Sequence, residues 1–509
     1  MDNNSRIYHS IKNISYGVIS TGINTFISFI SRTMFVKILG AEYLGLNGLF
    51  TEVIAMLSLA ELGVGMAIVY NLYEPLHNQN QKRICQLMCL YKTAYMLIAG
   101  VTFFTGVVLL PVIDRLVTDV DFSVNYIRFV FMLFVIRTSS SYLFSYKTSL
   151  LHADQKQYIV SFINMAVKSV ITVINVILLL ISRNYIVYLS VLIFQSFIAN
   201  IIISKYVDMH YPYLDYHLKM EKDERNAVFD NIKNIFMKRV SGVITESTDN
   251  ILISKLVSTV QAGYYSNYVM VLTAVKMLKN QLTSGMAASI GDLYVSEDGD
   301  YSENILRKLT YVYFCFSCIS CISLFSVINL FIMIWLGKEY VIDEIAVYIV
   351  IFNLFLDISF EPLWQFLEVS GLFDKDKNVG IAGSSVNLVI SLLLGWKYGI
   401  TGIFIGTMCS SILQLILKTR VLYHHGFRKN NSGFLYLCFK MISIYVLITI
   451  LLFYIYQTIA VSNAVWVFII RLTIGLSTAL AACTVPFCCT SEYNFLKNFL
   501  VTIFHKNKK

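Results

Sequence analysis

Long apolar runs alternate with short polar breaks from one end of the chain to the other, and each run is about 20 residues or longer, the length of a bilayer crossing. Read as spanning helices, the runs predict about fourteen, at 12–38, 44–70, 85–113, 124–148, 157–182, 184–206, 231–255, 259–291, 303–335, 341–371, 378–397, 400–424, 433–457 and 465–489. Several exceed the minimum, so they tilt or project beyond the hydrocarbon. The stretch Arg32–Pro75 joins two of these helices through a tight Gly-rich connection, Gly40 to Gly48, and places Glu61 inside the second. About 218 residues later the pattern returns: Lys255 to Gly263 has the spacing of Lys37 to Gly45, and Gly285-Met-Ala echoes Gly65-Met-Ala. Asn387 to Ile400 likewise resembles Asn175 to Ile186. Such a period is too long for a solenoid unit and suits a membrane protein built as two similar lobes.

The longest polar break, from Asp208 to Asn231, is charged and separates the sixth and seventh predicted helices. The expected organisation is a first lobe at 1–207, an inter-lobe loop at 208–230 and a second lobe at 231–425. Two further helices and an amphipathic tail follow at 426–509, with Phe495, Phe499 and Ile503 of the tail at helical spacing. Basic residues test this count. With the N-terminus inside, about 23 Lys and Arg fall on inner segments and adjoining helix ends against about 6 outside, and both termini come out cytoplasmic. One helix more or fewer would scramble that asymmetry.

Composition agrees. The chain is 57% hydrophobic and only 14% charged, where a soluble domain carries about 25% charge. The formal net charge of +9 follows from the basic inner loops and calls for no nucleic acid. No cleavable leader is evident before the first apolar run. Cys315, Cys318 and Cys321 have the spacing of a metal or redox pair, but inside an apolar helix they read as small packing residues. No phosphate-binding G-x-x-x-x-G-K-[ST] loop and no H-E-x-x-H occurs. Asp119-Val-Asp121 lies in a short loop with no nucleotide-binding domain around it. Nothing in the sequence points to an enzyme, a metal or a cofactor.

Ionisable side chains inside spanning helices carry the candidate chemistry. Each costs at least about 2.5 kcal/mol on insertion scales, so it faces protein or water. In the first helix Thr21, Asn24, Ser28 and Arg32 fall within roughly 80° of arc, a polar stripe. The fourth helix carries Arg137 beside Thr138 and three serines, and the fifth carries Lys168. The seventh carries Arg239, Glu246 and Asp249, and the eighth carries Lys276 and Lys279. In the tenth, Asp357, Glu361 and Glu368 lie within about 40° of arc, and Pro362 breaks the helix among them. Lys279, Glu368 and Arg471 can reach an interface by snorkelling and weigh less. The set implies a hydrated interior. Its cations (Arg32, Arg137, Lys168, Arg239 and Lys276) suit a phosphate. Its carboxylates (Glu61, Glu246, Asp249, Asp357 and Glu361) are placed to tune those cations or to hold a coupling cation, Na+ or H+.

The segment from Phe35 to Phe50, FVKILGAEYLGLNGLF, followed by Leu59-Ala-Glu61-Leu-Gly-Val-Gly65, resembles the N-terminal signature of Wzx-type polysaccharide flippases. These belong to the multidrug/oligosaccharidyl-lipid/polysaccharide exporter superfamily. Ser247 to Ser254, Gly263 to Tyr268, Ser370 to Phe373 and Gly399 to Thr407 agree with it. The resemblance implies an all-α membrane fold of two pseudo-symmetric six-helix lobes in a V, plus two C-terminal helices. It implies alternating access in a bacterial inner membrane, with a polyprenyl-diphosphate-linked glycan as cargo and a polysaccharide polymerase and glycosyltransferases as partners. It carries roles only to Arg32, Glu61 and Asp249; the other residues rest on their position. A multidrug antiporter of the same superfamily is the nearest rival, disfavoured by the internal cations and the extra helix pair. A polymerase or ligase of lipid-linked glycans would need a large outer loop, and the predicted outer loops are short.

Overall fold

A computed structural model describes the backbone of residues 3–218, 220–221, 248–296, 299–459 and 463–506. Side chains are described from Ser20 onward except 59–64, 66–68, 284–285, 287–289, 291–293, 295–296, 373–374 and 499–506. The described residues are helical almost throughout, with no strand. Eight helices among them are long and apolar enough to cross a membrane, or nine if one bent pair counts as a single span. The chain is an all-α, multi-pass membrane protein.

It divides into two compact units, Met1–Ser266 and Asn267–Lys509. The division falls inside one helix, Thr259–Ser296. Much of the segment 208–247, where the sequence places the hinge and the seventh helix, lies outside the described residues.

The first unit holds α1 (Asn3–Leu39), α2 (Ala41–Leu57), α3 (Leu59–His77), α4 (Gln81–Leu116), α5 (Val124–Ala153), α6 (Gln157–Ser182) and α7 (Tyr185–His210), a helical segment at 248–256, and the first turns of α8 (Thr259–Ser296). The predicted span 44–70 is two helices, because the chain breaks at Ser58, whose hydroxyl bonds back to the Ile54 carbonyl. Leu72, Leu87, Met88, Tyr91, Tyr142, Leu150 and Val207 close one core across α3, α4, α5 and α7. Phe50 meets Phe131 and Phe134 edge-on at 5.3 and 5.7 Å, seating α2 on α5. Gly45 and Gly263, which occupy matching places in the sequence repeat, meet in space. A Cβ on Gly263 would stand 2.7 Å from the Gly45 nitrogen. Small residues at both positions let the two backbones close together, as membrane helices do where packing rather than hydrophobicity drives association.

The second unit is built around α9 (Gly299–Trp335), which packs against α10 (Glu344–Ser359), α13 (Ser432–Gln457) and α14 (Ala464–Thr484). α10 and α11 (Glu361–Val369) are one apolar stretch bent by 41° at Phe360. Pro362 accounts for the bend, since it supplies no N–H to the helix ladder. α12 (Phe373–Val421) merges the predicted spans 378–397 and 400–424, and its backbone leaves the helical region at Gly399, φ 60°, where the sequence separates them. Phe355 stacks on Tyr445 at 4.0 Å, and the Tyr456 hydroxyl reaches Ser326 at 2.6 Å. Cys315, Cys318, Cys321 and Cys483 are buried free thiols between α9 and α14, filling space as the apolar context implies. α15 (Ser491–Lys506) is held by Glu492, which accepts from Arg307 Nε at 3.3 Å.

Candidate functional site

In the first unit, the polar stripe of α1 organises two of the predicted cations. Lys168 of α6 donates to the Ser28 hydroxyl at 2.8 Å and to the Asn24 carbonyl at 3.4 Å. One turn along, Arg32 donates from Nη1 to the Ser266 hydroxyl at 3.1 Å. Ser266 in turn donates to the Gly263 carbonyl at 2.7 Å, so the Arg32 partner is fixed by the close glycine pair. Arg32 and Arg137 both lie within electrostatic reach of Tyr185 and Tyr188 at the start of α7. Phe35, one turn from Arg32, packs on those two rings at 5.7 and 4.9 Å. Tyr185 is held in turn by the Asn47 side chain at 3.5 Å. Lys168 and Arg32 therefore lie along one face of α1, and Arg137 of α5 shares the neighbourhood of Tyr185 and Tyr188 with Arg32; each of the three is half-buried.

Among the described residues no carboxylate answers them. Arg32, Arg137 and Lys168 form no ion pair among the described residues; Arg32 and Lys168 donate to hydroxyls and a carbonyl, and both arginines lie within electrostatic reach of the Tyr185 and Tyr188 phenols. Uncompensated ions away from bulk water cost several kcal/mol each. Guanidinium and ammonium groups without a carboxylate partner are donors suited to an anion.

The second unit treats its charges differently. Lys279 is 7% exposed and donates to Glu361 at 2.8 Å and to Asp357 at 3.3 Å. Lys276 faces Asp357 at 3.9 Å, and Gln365 donates to the other Glu361 oxygen at 3.0 Å. The bend at Phe360 brings this about, because Asp357 ends α10 and Glu361 begins α11. Lys279 does not snorkel as the sequence suggested; it is buried between two carboxylates. Lys276, expected to meet an anionic ligand, has a carboxylate partner within its own unit. Two cations and two carboxylates leave this cluster electrically balanced.

The remaining expectations fall elsewhere. The side chain of Glu61 and the whole of Arg239 and Glu246 lie outside the described residues. Asp249 acts on Tyr265 together with Glu52 of α2, and Asn250 donates to Glu52 at 3.2 Å. Sequence reasoning missed Glu52, although an acidic residue within a predicted span is the signal it used elsewhere. It also missed Tyr185, Tyr188 and Ser266, which carry no charge pattern, and Gln365, a neutral residue one turn after Glu361.

Residues 10–288 match the sequence profile of the family described as "Polysaccharide biosynthesis protein". No protein of curated function matches the chain in sequence. In fold, the chain is similar to the lipid II flippase MurJ in an inward closed conformation, with a TM-score of 0.66 at 15% identity over 92% of this chain and 98% of that one. It is similar to an inward-facing multidrug resistance transporter of the MATE family, with a TM-score of 0.58 at 12% identity over 78% and 94% of the two chains. For the Vibrio cholerae MATE transporter VcmN the TM-score is 0.56 at 12% identity, over 84% and 99%. With a family profile spanning more than half its length, and spanning helices throughout, the chain belongs to the polysaccharide biosynthesis protein family, a transporter family of the multidrug/oligosaccharidyl-lipid/polysaccharide exporter superfamily.

Proposed function

We propose that this protein is a flippase that moves a polyprenyl-diphosphate-linked oligosaccharide repeat unit from the inner to the outer leaflet of a bacterial cytoplasmic membrane by alternating access. The product feeds capsule, O-antigen or exopolysaccharide synthesis, between the glycosyltransferases that build the unit and the polymerase that joins it. The observation that carries this reading is that Arg32 and Lys168 on the α1 stripe, and Arg137 beside the Tyr185–Tyr188 pair that Arg32 also approaches, have no carboxylate partner among the described residues. A site of that charge has its counter-ion supplied by the cargo, and a diphosphate supplies it with the right geometry. Arg239 joins the trio in this proposal. Lys276, with Asp357, Glu361 and Lys279, forms a coupling element whose charge balance a proton or Na+ perturbs. Glu61, Glu246 and Asp249 tune the cations. Both termini are cytoplasmic, following the distribution of Lys and Arg.

The multidrug-antiporter reading shares the fold, and fold alone does not separate the two. An uncompensated cationic cluster opposes it, because a cationic drug would add repulsion where a diphosphate adds attraction. The test is translocation in proteoliposomes of fluorescent polyprenyl-diphosphate glycan against a cationic dye. Arg137→Gln and Lys168→Met should abolish glycan translocation while membrane insertion persists. Dye transport with no glycan transport, or glycan transport unchanged in both variants, overturns the proposal.

A further inference from the structure

At the turn between α3 and α4 the first unit opens a cavity of about 620 Å³, lined by none of the residues of the cation stripe. Its walls carry Tyr70, Tyr73 and Glu74 from α3 and Asn78, Asn80 and Arg83 from the turn and the start of α4. α3 turns one face, Val69, Leu72 and Leu76, into the core of the unit. On its other face Tyr70 is 69% and Tyr73 51% exposed. Three residues apart, the two rings share one side of the helix. The rim is rigid. Asn78 N donates to the Glu74 carbonyl and Asn80 N to the Pro75 carbonyl, each at 2.9 Å. Asn80 caps α4 by accepting from the Arg83 amide at 3.1 Å, and Gln79 takes the left-handed conformation that closes the turn. Buried Pro75 and Leu87 lie beneath.

This lining has the chemistry of a sugar site. A pyranose offers a flat C–H face and an edge of hydroxyls that both donate and accept. Exposed tyrosine rings cover the face, and amide, carboxylate and guanidinium groups serve the edge in both roles. The volume falls in the usual range for small-ligand sites, roughly 300–1,000 Å³. An acyl tail or an apolar drug would displace water from Glu74, Asn78 and Asn80 without replacing its hydrogen bonds. Tyrosines also mark membrane interfaces, but a belt residue needs only a head-group layer around it, not a fixed concave wall of Asn, Glu and Arg.

We propose that this cavity receives the sugar portion of the lipid-linked glycan, through stacking on Tyr70 and Tyr73 and hydrogen bonds to Glu74, Asn78 and Arg83. The inference rests on the flippase reading and deepens it. The stripe of cations recognises the diphosphate common to every such lipid, and the tyrosine cavity distinguishes a carrier bearing sugar from a bare one.

The test uses the full chain in nanodiscs of phosphatidylethanolamine and phosphatidylglycerol. Three probes are titrated: polyprenyl diphosphate without sugar, the lipid-linked glycan extracted from cells lacking the polymerase, and the oligosaccharide released from it by mild acid. In the Tyr70→Ala/Tyr73→Ala double variant, glycan-lipid binding should weaken at least tenfold and binding of the released oligosaccharide should vanish. Bare polyprenyl diphosphate should bind as in the parent, which also certifies the fold. Tyr73→Phe, which keeps the ring, should retain oligosaccharide binding. Unchanged glycan binding in the double variant overturns the inference, as does equal loss of all probes or a change only in dependence on phosphatidylglycerol. If the parent chain binds bare polyprenyl diphosphate while the tyrosines prove irrelevant, this inference alone fails. If the parent binds none of the probes, the flippase reading fails with it.

Discussion

Replacing Lys279 with methionine removes the ammonium that holds α10 and α11 to α8. At an effective dielectric of about 20, the gross attraction of one unit charge pair is about 6 kcal/mol at the 2.8 Å separation from Glu361 and about 5 kcal/mol at the 3.3 Å separation from Asp357. Desolvation of the ions offsets most of this, and the Asp357 side chain is 36% exposed, so screening reduces its share to about 1 kcal/mol or less. Glu361, 9% exposed, has no other ammonium within ion-pair distance among the described residues. Removing the lysine while that carboxylate stays should cost about 3–5 kcal/mol. The assay is thermal unfolding in nanodiscs, where a loss of that size lowers the midpoint of a chain of 509 residues by about 3–5 °C. Lys279→Met/Glu361→Gln should recover most of the deficit, because no uncompensated charge is left behind. A single variant as stable as the parent, or a double variant no better than the single, would refute the idea that the pair compensates itself.

Three further outcomes follow from the same geometry. Gly45→Ala drives a Cβ into the Thr259 carbonyl, a backbone atom that cannot rotate away, and should destabilise the first unit by about 1–3 kcal/mol, read as faster proteolysis of that half. Arg137→Gln and Lys168→Met each remove a charge-assisted bond to phosphate worth about 1.5–3 kcal/mol, so binding of bare polyprenyl diphosphate should weaken about 10- to 100-fold without loss of insertion. At the tail, burial pushes the Glu492 carboxyl upward, but its own backbone amide and Arg307 outweigh that and hold it below the usual carboxylate range. With the folded value depressed, docking of α15 is at full strength above about pH 4.3 and is lost as pH falls through the lowered value. Hydrogen exchange across 491–506 between pH 3 and 6 should show release only at the acid end, and Arg307→Gln should move it upward.

How much of this was legible in the sequence depends on what signal each feature leaves. Spanning helices announce themselves by length and hydropathy, so the break at Pro362 and the junction at Gly399 were readable to within a residue or two. The Gly45–Gly263 pairing was visible only as a repeat in spacing; that the two equivalents touch is a property of packing, which spacing does not encode. The 3.6-residue period put Asn24, Ser28 and Arg32 on one stripe, whereas Lys168 stood out only as a charge within a predicted span; that it reaches Ser28 is a property of packing. Lys279 was misjudged because its position in a long helix fits an interfacial lysine equally well. Only the bend at Phe360, which turns Glu361 towards α8, makes it a buried partner. The cavity at the α3–α4 turn left the weakest trace, since exposed Tyr, Asn and Glu near a turn are what any polar loop contains until the fold makes them concave.

The contrast between the two clusters bears on mechanism more than either does alone. A cation with its own carboxylate has its attraction already committed, and an incoming anion must compete with that partner. Lys276 and Lys279 are in that position. Arg32, Arg137 and Lys168 have no carboxylate partner among the described residues; hydroxyls and a carbonyl accept from Arg32 and Lys168. They therefore offer their field to a ligand, at a standing cost in stability when the ligand is absent. That asymmetry predicts a test of sign. Pyrophosphate should raise the unfolding temperature of the parent, because a ligand that binds only the folded state stabilises it in proportion to the logarithm of its concentration over its dissociation constant. The same titration on Arg32→Gln/Arg137→Gln should give little or no rise, while Lys276→Met should leave the rise intact. Loss of the pyrophosphate effect in Lys276→Met, with the arginine variants unaffected, would reverse the assignment and place anion recognition in the second unit.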